Sequence, residues 1–205
     1  MTKISKAGVP ERWVLPLGEA MQAANINTPK RMAHFIAQTG HESGGFVRVV
    51  ENLNYRVEAL LSIFGRHRIS EADARKYGRI DGKQAANQEA IANCIYGGEW
   101  GAVNLGNTES GDGWKFRGRS LIQVTGRANY RKCGQAIGLN LEVHPELLER
   151  PENAARAAAW FWSTNGLNQL ADNDNIVGIT RKINGGTNGL DDRKERYDRA
   201  IKVLA

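Results

Sequence analysis

Two acidic residues nine positions apart form the pattern in this chain best suited to chemistry. Glu42 lies in Gly40-His41-Glu42-Ser43-Gly44-Gly45-Phe46, and Glu51 in Val50-Glu51-Asn52-Leu53-Asn54-Tyr55. In unbroken helix they would fall on opposite faces, about 13.5 Å apart along the axis, and could not act together. Gly44-Gly45 offers a break at which the chain can turn and bring Glu51 back across from Glu42. Two carboxyls with divided labour, one protonated among apolar neighbours and one solvated and ionised, are what glycoside hydrolysis needs. Spacing alone equally allows a helix end followed by an ordinary surface acid, and that is the commoner case.

A second stretch runs from Gly111 to Tyr130. Within it Gln123 and Thr125 alternate with Ile122 and Val124, so Leu121–Thr125 is expected to be a short strand with both polar side chains on one face. Such a face can hold a sugar or a water. Trp114, Phe116 and Tyr130 offer flat apolar surface to a sugar ring, or simply belong to the core. A third stretch, Ile183-Asn184-Gly185-Gly186 through Asp192-Arg193, reads as a helix stop at Asn184 followed by a fresh helix capped by an Asp.

Other chemistries fit poorly. His41-Glu42 begins the zinc pattern His-Glu-x-x-His, but the second His would fall at Gly45. Cys94 and Cys133 sit in no motif that would activate a thiol toward His67 or His144, and read as small core residues. There is no G-x-S-x-G elbow, and Gly78–Lys83 lacks the spacing of a phosphate loop.

The elements that must position these groups are mostly helical. Thr28-Pro29 opens a helix in which Met32, Phe35, Ile36 and Thr39 share one face, ending near Gly44-Gly45. Further helices are expected over 57–64, after a Ser70 cap, and over 84–96, 128–137, 154–164, 176–183 and 192–204. The last is amphipathic, with Tyr197, Ala200, Ile201 and Leu204 on one side and Arg193, Lys194, Arg196 and Arg199 around them. That pattern suits docking on a core better than perturbing a membrane. Glycine-rich 97–113 reads as a long loop. The chain is expected to be one catalytic domain over 1–205, with a possible small helical lobe at about 56–100 and no separate cell-wall-binding domain.

Composition bounds the partners. The 205 residues carry 28 Lys+Arg against 22 Asp+Glu, a net charge of +6 that favours anionic polymers without choosing among them. No basic block reads as a nucleic-acid arm. No apolar run is long enough to span a bilayer, and the first ten residues lack the apolar stretch of a secretory signal. With two cysteines there is no disulfide framework, so a soluble protein made in a reducing cytosol is expected.

Taken in order, His41-Glu42-Ser43-Gly44-Gly45, then Gly118-Arg119-Ser120-Leu121-Ile122-Gln123-Val124-Thr125 through Asn129-Tyr130, then Ile183-Asn184-Gly185-Gly186, resemble glycoside hydrolase family 19, and its phage endolysin branch more than its plant chitinases. The resemblance runs from about residue 11 to the C-terminus. It implies a mostly α, lysozyme-like bilobal fold with few or no strands, and inverting cleavage of a β-1,4-linked N-acetylated glycan. Glu42 matches the family's general acid, Glu51 the general base of the phage branch, and Thr125 the position that helps hold the attacking water. His41, Gln123, Asn129, Tyr130 and Asn184 match substrate-binding or site-ordering positions. Inversion implies carboxyls about 6.5–9.5 Å apart, and no metal or organic cofactor is implied. The expected substrate is the peptidoglycan bond between N-acetylmuramic acid and N-acetylglucosamine. The enzyme would be a monomer, binding no nucleic acid and making no stable membrane insertion. It would wait in the host cytoplasm until a separate pore protein opens the membrane. A chitinase and a non-catalytic cationic wall-binding module are the alternatives. Ser120 departs from the glycine common in the family, and would be strained wherever positive φ is required.

Overall fold

The computed structural model describes residues 2–205. The chain divides into two compact units: one holds the residues up to Val49 with Ser120–Gln123 and Glu146–Ala205, the other holds Val50–Arg119 and Val124–Pro145. Thirteen α-helices lie among the described residues, with isolated β-bridges and no longer strand. The mostly helical architecture expected from the sequence is therefore what forms. Among the described residues no helix is long and apolar enough to cross a membrane.

The chain opens in the first unit with α1 (Lys3–Lys6), α2 (Glu11–Ala23) and α3 (Pro29–Glu42). Pro16 lies inside α2 and obscures its pattern in the sequence, yet Trp13, Leu17, Ala20 and Met21 recur at helical spacing on its buried face. In α3 the Thr28 side chain accepts from the Arg31 N–H, and Pro29 takes the first turn, where its missing N–H costs nothing.

The second unit follows with α4 (Val57–Ile63), α5 (Glu71–Tyr77), α6 (Gln88–Ile95), α7 (Gly98–Leu105), α8 (Asp112–Lys115) and α9 (Arg127–Ile137). Leu53, Leu60, Ile69, Ala74, Ile91 and Ile95 make its core. It is wider than the stretch of 56–100 read as a small lobe. The long loop expected over 97–113 is largely helix, since α7 and the start of α8 lie inside it. Gly97 and Gly106 flank α7, which tolerates Gly98 and Gly101 within it, and Gly106 caps the helix in the left-handed conformation at φ +67°.

The chain returns to the first unit through α10 (Pro151–Thr164), α11 (Leu167–Asp172), α12 (Ile176–Asn184) and α13 (Leu190–Leu204). There α13 packs on α3 and α10 on α2. Their shared core holds Trp13, Phe35, Phe46 and Trp162, with the Phe35 ring edge-on to Trp162 at 5.3 Å.

The strand expected at Leu121–Thr125 does not form. Arg119 and Val124 exchange backbone hydrogen bonds of 3.1 and 2.8 Å, closing a tight turn whose Leu121 and Ile122 are buried in the core of the first unit. Both apolar side chains are buried side by side, so alternation of faces is lost and Gln123 is left exposed at the turn. Ser120 takes φ +83°, the strained conformation that its departure from glycine raised. It is held by its N–H on Val49 O and its Oγ on Ala154 O, both at 2.9 Å.

Candidate active site

Glu42 is the last residue of α3. Its Oε1 accepts from Arg193 Nη2 at 2.5 Å, while Arg193 Nη1 donates to Gln38 Oε1. Arg193 is the fourth residue of α13, so the helix read as a docked amphipathic element delivers a buried cation to the carboxyl. The apolar setting expected around a proton donor is therefore replaced by an ion pair. One residue back on each helix, His41 Nδ1 and Asp192 Oδ2 are 2.6 Å apart, and Arg196 Nε donates to the same oxygen at 2.7 Å. Burial works against charge on Asp192, but hydrogen bonds from Arg196 and His41 outweigh it and hold the carboxyl below its usual range. The His41 ring leaves room only for glycine at position 189, where an added Cβ would stand 2.1 Å from Cε1. His41 is thus fixed by protein contacts.

After Glu42 the chain leaves the helix as expected, and by three consecutive left-handed residues instead of two: Gly44, Gly45 and Phe46 at φ +61°, +80° and +65°. Ser43 Oγ donates to Thr39 O and accepts from the Phe46 N–H, and Phe46 O accepts from Arg12 Nη2 and Trp13 Nε1. These bonds and the burial of its ring offset the cost, about 1 kcal/mol, of placing Phe46 there.

Glu51 belongs to the second unit and is held at three points. Its N–H donates to Gly118 O at 3.0 Å, its Oε1 accepts from the Gly118 N–H at 2.5 Å, and its Oε2 accepts from Tyr96 Oη at 2.8 Å. Burial, then the negative charge of Glu51, pushes the Tyr96 phenol far up, so it stays a donor.

Thr125 is half-buried, and its carbonyl accepts from Asn129 Nδ2 at 2.8 Å, which ties Asn129 to the backbone beside it. Tyr130 is 0% exposed, with Oη donating to Arg117 O at 2.6 Å and accepting from Arg119 Nη1 at 3.0 Å. It cannot touch a sugar; it braces the chain that carries Gly118. Phe116 packs against Tyr130 and is equally buried, whereas Trp114 is half-buried with the Arg117 guanidinium 3.7 Å from its ring centroid. Asn184 spends its amide on the loop after α12, donating to Asn188 O and accepting from the Gly186 N–H, so it orders that loop.

Three side chains that hold the candidate residues escaped the sequence reading: Arg193, Asp192 and Tyr96. The first two stood within the Ile183–Arg193 stretch, where a buried arginine is indistinguishable from a capping pair. Nothing in the sequence links Tyr96 to Glu51, which is 45 positions away. Among the described residues no three His, Cys, Asp or Glu side chains are placed to hold a metal ion. Cys133 is buried and Cys94 half-buried, where burial pushes the Cys94 thiol up, away from the reactive thiolate.

A family model of glycoside hydrolase family 19, described as chitinase class I, matches residues 94–188. A glycosyl hydrolase family 19 domain-containing protein of Haemophilus influenzae is 39% identical over 183 residues, covering 89% of this chain and 84% of its own. An endochitinase of Pisum sativum is 33% identical over 119 residues, covering 45% of this chain and 37% of its own. The crystal structure of a bacterial family 19 chitinase superposes with a TM-score of 0.61 at 19% identity, over 99% of this chain and 93% of that one, which establishes a shared fold.

Proposed function

We propose that this chain, a chitinase-like glycoside hydrolase that belongs to glycoside hydrolase family 19, is an endolysin that cuts the β-1,4 bond between N-acetylmuramic acid and N-acetylglucosamine in peptidoglycan with inversion. Glu42 is the acid. Arg193 engages its Oε1 and leaves Oε2 to carry the proton that passes to the leaving glycosidic oxygen as the bond lengthens. Glu51 is the base: it takes a proton from the attacking water on the opposite face of the sugar, with Thr125 helping to hold that water. An oxocarbenium-like sugar forms between attack and departure, and room for the water requires the two carboxyls about 6.5–9.5 Å apart. Gln123 and Asn129 contact or frame the sugar, and the reaction uses no cofactor.

The observation that carries this reading is the fixing of both carboxylates, Glu42 by a buried guanidinium and Glu51 by an N–H and a phenol. Fixed hydrogen-bonding partners keep a catalytic group in reacting geometry without reorganisation. Preference for peptidoglycan is supported by the charge of +6, since that polymer carries lactyl and peptide carboxylates and chitin is neutral. In this reading the enzyme acts as a monomer and reaches the wall from the host cytoplasm through a pore made by another protein. Chitin is the second reading, favoured by the partial match to plant endochitinases.

Mass spectrometry of digested, purified peptidoglycan separates the outcomes. New reducing ends on N-acetylmuramic acid are expected. Ends on N-acetylglucosamine would make the enzyme a glucosaminidase, and an intact wall beside cleaved chitin oligomers would make it a chitinase. Adherence to wall without any cleavage would leave only a cationic binding module.

A further inference from the structure

Trp100 stands on α7 in the second unit and has no part in the bond cleavage described above. The Arg68 guanidinium lies 3.8 Å from the centroid of its indole, within 4.9 Å of the Phe64 ring and 5.7 Å of the Tyr96 ring. Arg68 Nε donates to Ile95 O at 2.8 Å, so the cation is anchored to the end of α6 and the indole is braced on one face. Beside the indole opens a cavity of about 280 Å³ lined by His67, Glu99, Trp100, Val103 and Asn104. Val103 is 78% exposed there, an apolar side chain with no core to join. Asn104 commits its Nδ2 to Trp100 O, which leaves Oδ1 as an acceptor.

We propose that this cavity is a second saccharide site, in which one N-acetylated pyranose of the glycan strand stacks on Trp100. A pyranose ring presents a face of weakly positive C–H groups, which complements the negative face of an indole. Val103 meets the acetyl methyl, while Glu99, His67 and Asn104 Oδ1 meet the amide and hydroxyl groups at the rim. The volume lies just below the roughly 300–1,000 Å³ of pockets for larger ligands, and suits one sugar ring. The site is mechanically continuous with the proposed base, because the Arg68 that braces Trp100 also packs on Tyr96, whose hydroxyl holds Glu51. A strand gripped at Trp100 is therefore retained by the unit that carries Glu51, which favours repeated cuts on long polymer over cuts on short oligomers. The proposal rests on the reading of this chain as a glycan hydrolase.

The test uses the Glu42→Gln protein, labelled with ¹⁵N and titrated with the N-acetylglucosamine tetramer. The Trp100 indole N–H is identified among the five tryptophans by its loss in Trp100→Phe. A saturable shift of that resonance is expected, weakened at least fivefold by Val103→Asp, an exposed substitution that leaves the Trp100–Arg68 stack in place. With Glu42 restored, Trp100→Ala and Val103→Asp should each reduce turnover of polymeric substrate at least fivefold more than turnover of the tetramer. A Trp100 resonance unmoved at saturation, or equal losses on polymer and tetramer, overturns the second site. The shift without cleavage of any glycan by the unmutated protein overturns the hydrolase reading and leaves the site; cleavage without the shift does the reverse.

Discussion

Arg193 Nη2 lies 2.5 Å from Glu42 Oε1, joining a guanidinium that is 1% exposed to a carboxyl that is 21% exposed. Removing a cation from water costs several kcal/mol unless a partner answers its charge. Here the answer comes from Glu42 and, through its dipole, from Gln38 Oε1. Burial of Arg193 therefore fixes the orientation of Glu42. The group proposed to donate the proton is also the counter-ion of a buried charge, so catalysis and stability meet in one residue.

Glu42→Gln keeps an oxygen for Arg193 but removes the charge. Stability should fall by about 1–3 kcal/mol, and turnover by at least about 100-fold, the usual scale for losing a general acid. Thermal melts and kcat measure the two separately. Arg193→Met removes the aiming contact together with its charge and its bonds to Gln38 and Asn188: kcat is expected to drop about tenfold with KM little changed, because the carboxyl remains but is no longer aimed. An Arg193→Met enzyme with unaltered kcat would remove the orienting role.

Tyr96→Phe deletes the hydroxyl on Glu51 Oε2 and leaves Oε1 on the Gly118 N–H. A tenfold fall in kcat, equivalent to about 1.4 kcal/mol of barrier, is expected with KM within about twofold. A lower melting temperature with kcat intact would reduce Tyr96 to a packing residue.

Tyr130→Phe separates bracing from sugar contact. Losing Oη removes one buried hydrogen bond to the Arg117 carbonyl and one from the Arg119 guanidinium, and should cost about 1–3 kcal/mol of stability. Oligosaccharide affinity, measured calorimetrically on the folded variant, should stay unchanged. A weakened affinity at full folding would put Tyr130 back among the sugar contacts.

Much of the helical scaffold was legible because its signals are local. Thr28-Pro29 and the face made by Met32, Phe35, Ile36 and Thr39 mark α3, and Gly44-Gly45 marks its exit. What failed were inferences about which face is buried. Leu121–Thr125 has the composition of a strand, but its apolar pair is consumed by the first unit's core, and a turn results. Tyr130 looked like an aromatic platform because its burial depends on Phe116 and Arg119, whose placement the sequence pattern does not reveal. Both carboxylates were visible, while their partners Arg193 and Tyr96 were not, since pairing over 151 and 45 positions leaves no periodic trace.

Ser120 at φ +83° carries a measurable strain. Ser120→Ala keeps the left-handed strain and loses the bond from Oγ to Ala154 O, which should cost about 1 kcal/mol. Ser120→Gly loses the same bond but recovers about 1–2 kcal/mol of strain, against about 0.5–1 kcal/mol of added chain entropy. The glycine variant should therefore equal or exceed the alanine variant in stability, the reverse of their order at an ordinary position. Denaturant titrations decide it: alanine clearly ahead of glycine means the backbone there is unstrained.

Asp174 gives the stability a dependence on acid pH. Its Oδ2 pairs with Lys30 Nζ at 2.8 Å, and its Oδ1 meets Tyr197 Oη at 2.5 Å and His34 Nε2 at 3.1 Å. Burial opposes its charge, but the bonds from Lys30, Tyr197 and His34 bring its carboxyl down to about 2 from an ordinary 3.8. A carboxyl lowered by folding adds stability above its unfolded value and loses it as pH falls through the folded one, so this contribution fades between about pH 4 and pH 2. With a side chain 44% exposed, solvent screening reduces it to about 1 kcal/mol. His34 acts in the same direction at higher pH: burial, against the pull of Asp174, lowers it from 6.5, and its Nδ1 is buried without a partner, so acid begins to favour the unfolded chain below about pH 6.5. Asp174→Asn should accordingly be about 1 kcal/mol less stable than the parent at pH 7, with the two converging near pH 2, where the parent carboxyl is itself protonated. Melting curves of both proteins from pH 7 to pH 2 make the comparison, and a constant gap across that range would place the stabilisation elsewhere than in the ionised carboxyl.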